Sequence, residues 1–319
     1  MPNLGARFVW LAASSVLVAC APPGTTSSVD ERPLVVATTT MLTDLVRELG
    51  GELVLARGIM SPAGDPHLYQ PTPADARLLA RSALVVTSGL GLEGWIDDLV
   101  RNAGGVRPIV VASADVAPLA AHGGKQAFDP HYWFDAKAYA SAVPHVARAL
   151  ATLMDTDAER ERIAARASAY EATLMRLDAW VRDQLAALPA ERRVLVTSHD
   201  AFGYFGRAYG VEVVGIQGIS TEAEASQRDL VRVIELVRAR RLPAIFVETS
   251  VNPALIARVA RETGVKVAGP LYSDSLGARD SAASTYVGMM AENVRAIVTA
   301  LGGKPAPLVL GSASAVSSW

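Results

Sequence analysis

The stretch from Asp157 to Leu188 contains neither glycine nor proline and is rich in alanine and arginine. Helix formers without a breaker over that length predict one long helix, and at about 1.5 Å per residue it would cross most of a small protein. Pro189 closes it. No sustained apolar heptad accompanies the segment, so it reads as a connecting helix and not as a coiled coil.

On either side runs an alternating α/β rhythm. Before the long helix, "LVVAT", "LVLAR", "ALVVTSG" and "RPIVVAS" are short apolar runs with β-branched residues, suited to buried parallel strands. Between them, Thr40 to Leu49 reads as a helix stopped by Gly50-Gly51. "TPADARLLARS" places Pro73 at a first helical position with Thr72 as its N-cap. "GWIDDLVRNAGG" is a helix ending in glycines. From Asp135 a capped helical region runs to about Met154, with Pro144 set to kink or divide it. After Pro189 the strands are "RVLVTS", "VEVVGI", "PAIFVETS" and "VKVAGP", and the last helix spans about Ser284 to Leu301. The fold class expected is α/β: two lobes, each with a four-stranded mainly parallel sheet flanked by helices, joined by one long rigid helix. The boundaries read as an N-terminal lobe over 34–156, the connecting helix over 157–189, a C-terminal lobe over 190–302 and a loose tail over 303–319. Functional loops belong at the carboxyl ends of such strands, with a ligand between the lobes.

The first residues are of another kind. Arg7 is a short basic region, and Phe8 to Ala19 is an apolar run too short to span a bilayer. It ends in Leu17-Val18-Ala19-Cys20, which resembles a bacterial lipobox. The expectation is a signal peptide over 1–19, cleavage before Cys20, a lipid on its thiol, and a Pro/Gly/Ser/Thr-rich tether through residue 33. An ordinary signal peptide with an incidental cysteine is the alternative. Cys20 is the one cysteine of the chain, so the mature protein has neither an internal disulfide nor a thiolate metal site. A net charge of -2 gives no electrostatic case for nucleic acid, and 6% aromatic residues leave few stacking platforms for bases.

There are five histidines. His145 lies in a helical context and His122 in the loop "AHGGK", where a solvated or packing role suffices. His67, His131 and His199 all fall in loops that follow strands, where sites form. His67 stands in "GDPHLYQPTPAD", a stiff segment, and its DPH triplet recurs at Asp129-Pro130-His131. Neutral imidazole offers a metal one lone pair, and its other N–H needs an acceptor to fix the ring. A flanking proline holds an empty site near its bound shape. Asp274 in "PLYSDSLG", after the final strand, is the best candidate for an oxygen donor. Glu248 reads either as an acceptor for a ligand imidazole or as a capping or surface acid. Tyr132 and Trp133 read as packing beside His131. Ser198-His199-Asp200 spells triad letters, but adjacent residues do not reach triad geometry, and Asp200 reads as a cap of the following helix. Gly89-Leu90-Gly91 lacks a full phosphate-binding pattern and reads as a turn. The spacing of these histidines does not by itself establish a site, because any one of them is more often an ordinary polar loop residue.

Six motifs in order, "GDPHLYQPTPAD", "DPHYWFD", "TSHDAFGYFGRAYG", "QGISTEAEAS", "IFVETSV" and "YSDSLG", resemble the TroA-like (cluster A-I) substrate-binding proteins of bacterial ABC importers for manganese or zinc. The likeness extends from about Leu34 to Leu301. It implies two lobes with one metal ion buried between them, ligated at His67, His131, His199 and Asp274. It implies a monomeric, lipid-anchored receptor on the extracytoplasmic face of the cell membrane, periplasmic in a Gram-negative cell, with an ABC permease as partner. Manganese-typical relatives often carry Glu where this chain has His199, and zinc-typical ones a long histidine-rich loop where this chain has the short "PLAAHGGKQAFDP". Zinc, manganese or iron therefore all remain open as the transported ion. The rival readings are a zinc-dependent hydrolase, which needs an open coordination position and a general base, and an adhesin using the same lobes.

Overall fold

The computed structural model describes residues 1, 31–121, 127–222 and 224–310. Cys20, the leader, most of the tether and His122 lie outside these residues, as does the end of the tail.

The first lobe is built on β1 (Leu34–Ala37), α1 (Thr40–Gly50), β2 (Leu55–Gly58), α2 (Pro73–Ala80), β3 (Leu84–Thr87), α3 (Ile96–Ala103) and β4 (Ile109–Val111). Its strands form one wholly parallel sheet in the order β2-β1-β3-β4. The caps follow the sequence. Thr39 caps α1, and Gly51 ends it at φ 54°, in the left-handed region glycine reaches without cost. Thr72 and Asp75 form a capping box on α2 with Pro73 in its first turn. A short antiparallel pair, β5 (Leu119–Ala120) with β6 (Phe128–Asp129), follows; the sequence pattern gave no sign of it, since two-residue strands carry no periodicity. It delivers the chain to His131.

The helical region after Asp135 divides into α4 (Ala136–Ala140) and α5 (Ala142–Ala151). The break comes at Ser141, one turn ahead of Pro144. Proline at 144 cannot donate to the carbonyl four residues back, so the ladder ends there and Pro144 settles into the first turn of α5, where no donor is needed. The long helix α6 spans Asp157–Ala186, opened by a Thr156/Glu159 capping box. Long as it is, its surface is largely charged, and no helix among the described residues is long and apolar enough to cross a membrane.

The second lobe holds β7 (Val194–Thr197), α7 (Gly203–Tyr209), β8 (Glu212–Gly215), α8 (Gln227–Arg240), β9 (Ala244–Glu248), α9 (Ala254–Thr263), β10 (Lys266–Leu271) and α10 (Tyr286–Ala300). Its four strands bond as two parallel pairs, β7 with β8 and β9 with β10, and β7 runs beside β9. Asp200 does not cap α7: the cap position is Phe202, which makes no side-chain cap bond. The expected cap fails because the helix starts two residues later than a cap at Asp200 requires.

Strand residues alternate between two cores, as the period of two demands. Val35, Ala37, Leu84 and Val86 face a large central core, whereas Val36 and Val85 face an outer layer with Leu79 and Leu99 of α2 and α3. In the second lobe Leu195, Ala244 and Phe246 join that same central core, while Val194, Val196 and Ile245 meet Leu230 and Val259 of α8 and α9. Leu174, Leu177 and Val181 of α6 line the central core as well. The seam between the halves is bonded closely. Tyr139 stacks on Tyr286 at 3.8 Å between ring centroids, Phe134 on Phe202 at 4.2 Å, and the Tyr286 hydroxyl donates to the Trp133 carbonyl at 2.7 Å.

Asp44 of α1 joins this seam, accepting the backbone N–H of Tyr286 at the start of α10 at 2.8 Å. Burial pushes its carboxyl up to about 7, against the lowering by that backbone N–H. The folded chain therefore holds a proton there that the unfolded chain releases from about pH 4 upward, so Asp44's contribution to stability falls as pH rises toward 7. Asp44→Asn keeps an acceptor for Tyr286 without the charge. It is expected to raise the melting temperature by a few degrees at about pH 8 and to leave it little changed at about pH 5, as measured by thermal denaturation at both pH values.

Candidate metal centre

The structure brings four residues from far-apart loops to one point. His67 follows β2, His131 follows β6, His199 follows β7 and Asp274 follows β10, each beyond a strand's carboxyl end. One ligand atom of each lies within 4.8 Å of the others. The Nε2 atoms of His67 and His131 are 3.2 Å apart. Asp274 Oδ1 lies 3.4 Å from His131 Nε2, and its Oδ2 lies 3.6 Å from His199 Nε2. His131, His199 and Asp274 are fully buried and His67 is 7% exposed. His145 stands apart, its Nε2 on Asp115 at 2.7 Å.

Behind the imidazoles stand carboxylates. Asp129 Oδ1 accepts both the backbone N–H of His131 at 2.9 Å and its Nδ1 at 2.7 Å. Glu248 Oε1 accepts the backbone N–H of His199 at 3.0 Å, and Oε2 sits 2.6 Å from His199 Nδ1, a charge contact out of line for a hydrogen bond. Glu248 is buried and touches His199, so neither a surface nor a capping role describes it. Asp274 Oδ2 accepts the hydroxyls of Ser250 at 2.7 Å and Ser273 at 3.0 Å. Trp133 packs edge-on against His131 and donates to the Ser273 carbonyl at 2.9 Å.

The repeated DPH triplet has a local cause. In both copies the aspartate Oδ1 accepts the histidine N–H two residues on, at 2.9 Å each, an Asx turn with proline stiffening its middle. The aspartates themselves, Asp65 and Asp129, were overlooked as working groups, although their position two residues before each histidine was a readable signal for that turn. Ser250 and Ser273 carried no signal, since their role depends on how β9 and β10 lie side by side. Gly203 has a related reason to be glycine: a Cβ there would come within 2.6 Å of Asp129 Oδ2.

The electrostatics are those of buried groups sharing charge. Burial lowers the His67 imidazole to about 3, helped by neighbouring His131. Burial also works against protonation of His131, but the Asp129 carboxylate and then Asp274 overcome it and hold the ring at about 9. His199 is raised likewise, with Glu248 and Asp274 overcoming burial. Asp274 is held well below the carboxylate range, since the His199 and His131 charges outweigh its burial. His199 Nε2 and Asp274 Oδ1 are buried without a hydrogen-bond partner, an arrangement that costs free energy unless a cation meets them. Three nitrogens and a carboxylate converging in this way fit a divalent transition metal, and tetrahedral zinc well.

Known proteins share this architecture. Residues 35–300 match the family described as zinc-uptake complex component A, periplasmic (ZnuA). The zinc-binding protein TroA of Treponema pallidum (strain Nichols) is 39% identical over 282 residues, covering 86% of this chain and 91% of its own. The manganese-binding lipoprotein MntA of Bacillus subtilis (strain 168) is 36% identical over 299 residues, covering 91% and 97%. The solved structure of periplasmic zinc-binding protein TroA from Treponema pallidum superposes with a TM-score of 0.79 at 39% identity, covering 85% of this chain and 99% of that one. The family match takes in both groups of parallel strands, the long helix and all four converging side chains, and the chain belongs to the periplasmic zinc-uptake component A family.

Proposed function

We propose that the protein captures one divalent transition metal ion, zinc or manganese, outside the cytoplasm and delivers it to an ABC permease. His67, His131, His199 and Asp274 are its ligands. The observation that carries this reading is the convergence of four buried donors from both halves of the chain. Membership of a zinc-uptake family and likeness to proteins named for zinc and for manganese support it. Asp129 and Glu248 orient the rings of His131 and His199 and raise their basicity as ligands. Four protein donors close the coordination shell, which suits holding an ion more than hydrolysis at it. Three imidazoles favour zinc in affinity, and a bidentate Asp274 would admit manganese, so the ion carried depends on supply as well as on affinity. The chain acts as a monomer anchored through a lipid on Cys20.

His67→Ala is expected to weaken zinc binding by about a hundredfold or more, since loss of groups that only orient ligands costs about 10- to 100-fold, while the circular dichroism spectrum stays that of the wild type. Calorimetric titration checks this, and an unchanged affinity would remove His67 from the site. Proton competition gives a second test. With His131 held at about 9 and His199 raised, protons occupy both rings at neutral pH, and a metal ion must displace them. Affinity should therefore rise with pH between about 6 and 9, by up to about tenfold per unit for each proton displaced. Chelator competition across that range measures the slope; a flat profile contradicts the ligand set.

A further inference from the structure

An ion closed in on all sides leaves only when a ligand moves, and the four candidates are not held alike. His131 and His199 each lean on a buried carboxylate, and Asp274 is gripped by two serine hydroxyls. His67 has no partner on Nδ1, is the one of the four with measurable exposure, and is followed by Leu68, which is 54% exposed. Its place is set by its loop, and the loop is tied to the second half of the chain at two points. The backbone N–H of Ala63 donates to Ser275 Oγ at 2.9 Å, and Thr221 Oγ1 donates to Asp65 Oδ2 at 2.6 Å. Asp65 thus divides its oxygens: Oδ1 holds the His67 backbone N–H and Oδ2 holds Thr221. In the matching turn, Asp129 Oδ1 holds both the backbone and the ring of His131, and no residue outside the turn is needed to fix that ring.

Building on the ligand assignment above, we propose that the Thr221–Asp65 hydrogen bond is a latch that sets how fast the ion leaves. Thr221 is a positioning residue for His67. It belongs to the loop between β8 and α8, so a movement of that loop is transmitted through one carboxylate to the turn that carries the ligand. Breaking the bond removes the tie nearest the ligand and leaves the Ala63–Ser275 bond as the other link to the second half, so the His67 turn loosens while the other three donors keep their places. The latch acts on dissociation, because it ties together two loops that must part before the ion leaves.

The test is the rate at which zinc passes from the loaded full-length protein to excess EDTA, followed by stopped flow, with stoichiometry and association rate measured alongside. Thr221→Val, which keeps the shape and removes the donor, is expected to release zinc about tenfold faster, the loss expected for one hydrogen bond to a charged acceptor, with stoichiometry and association rate unchanged. Thr221→Ser is expected to behave as wild type, and Thr221→Ala as the valine variant. Release within about twofold of wild type in both the valine and alanine variants overturns the latch. So does a serine variant as fast as the valine one, or an effect confined to association. Failure of the wild type itself to bind zinc or manganese overturns the metal-site reading instead.

Discussion

The centre depends on one buried carboxylate. Asp274 faces His131 with one oxygen and His199 with the other, and those histidines come from opposite halves of the chain. In so dry a place an unpaired charge would be ruinous, and a paired one interacts more strongly than in water. Ser250 and Ser273 fix the carboxylate's orientation, and Asp129 and Glu248 fix the rings that face it. The negative charge brought together by Asp274, Asp129 and Glu248 draws protons onto His131 and His199 and equally suits a cation of higher charge. The charge that holds those protons is the charge that would hold a metal ion.

That arrangement survives because the backbone around it is stiff. Each of the four side chains stands in a loop beyond a strand's carboxyl end, and β7, which leads to His199, is buried throughout. α6 packs against elements of both halves. Stacked tyrosines and the Asp44–Tyr286 bond seal the seam. A wide hinge opening would break all of these together, which leaves loop movement as the cheaper way to admit and free an ion. His67, the one of the four side chains with measurable exposure, is where that movement has most effect.

Much of this was legible in the residues. Apolar strand runs, Gly and Pro punctuation and the unbroken Asp157–Ala186 helix are local signals, and local signals translate directly into elements. Thr72 caps α2 as its type suggests. What could not be read depends on distance across the fold. "IFVETSV" leaves Glu248 open between an imidazole's acceptor and a capping or surface acid without saying which histidine it meets, and nothing near Thr221 points to Asp65, 156 residues earlier in the chain. Asp200 misled because a capping residue type is only half of a cap; the other half is where the backbone turns helical. The DPH echo first suggested a site through its histidines, yet its physical content lies in its aspartates.

The central core has a consequence for how the protein folds. Val35 and Leu45 from the start of the chain share that core with Phe246, Met290 and Val294 from its end, and the inner faces of both groups of strands look into it. The described residues from Arg32 onward accordingly form one compact unit. A fragment ending at α6 would expose the apolar faces of Tyr139 and Phe134, and a fragment beginning there would expose those of Tyr286 and Phe202. Two groups of parallel strands give the molecule a bipartite plan, and the inner faces of both share one core. The four converging side chains therefore lie on an internal seam of one shared core.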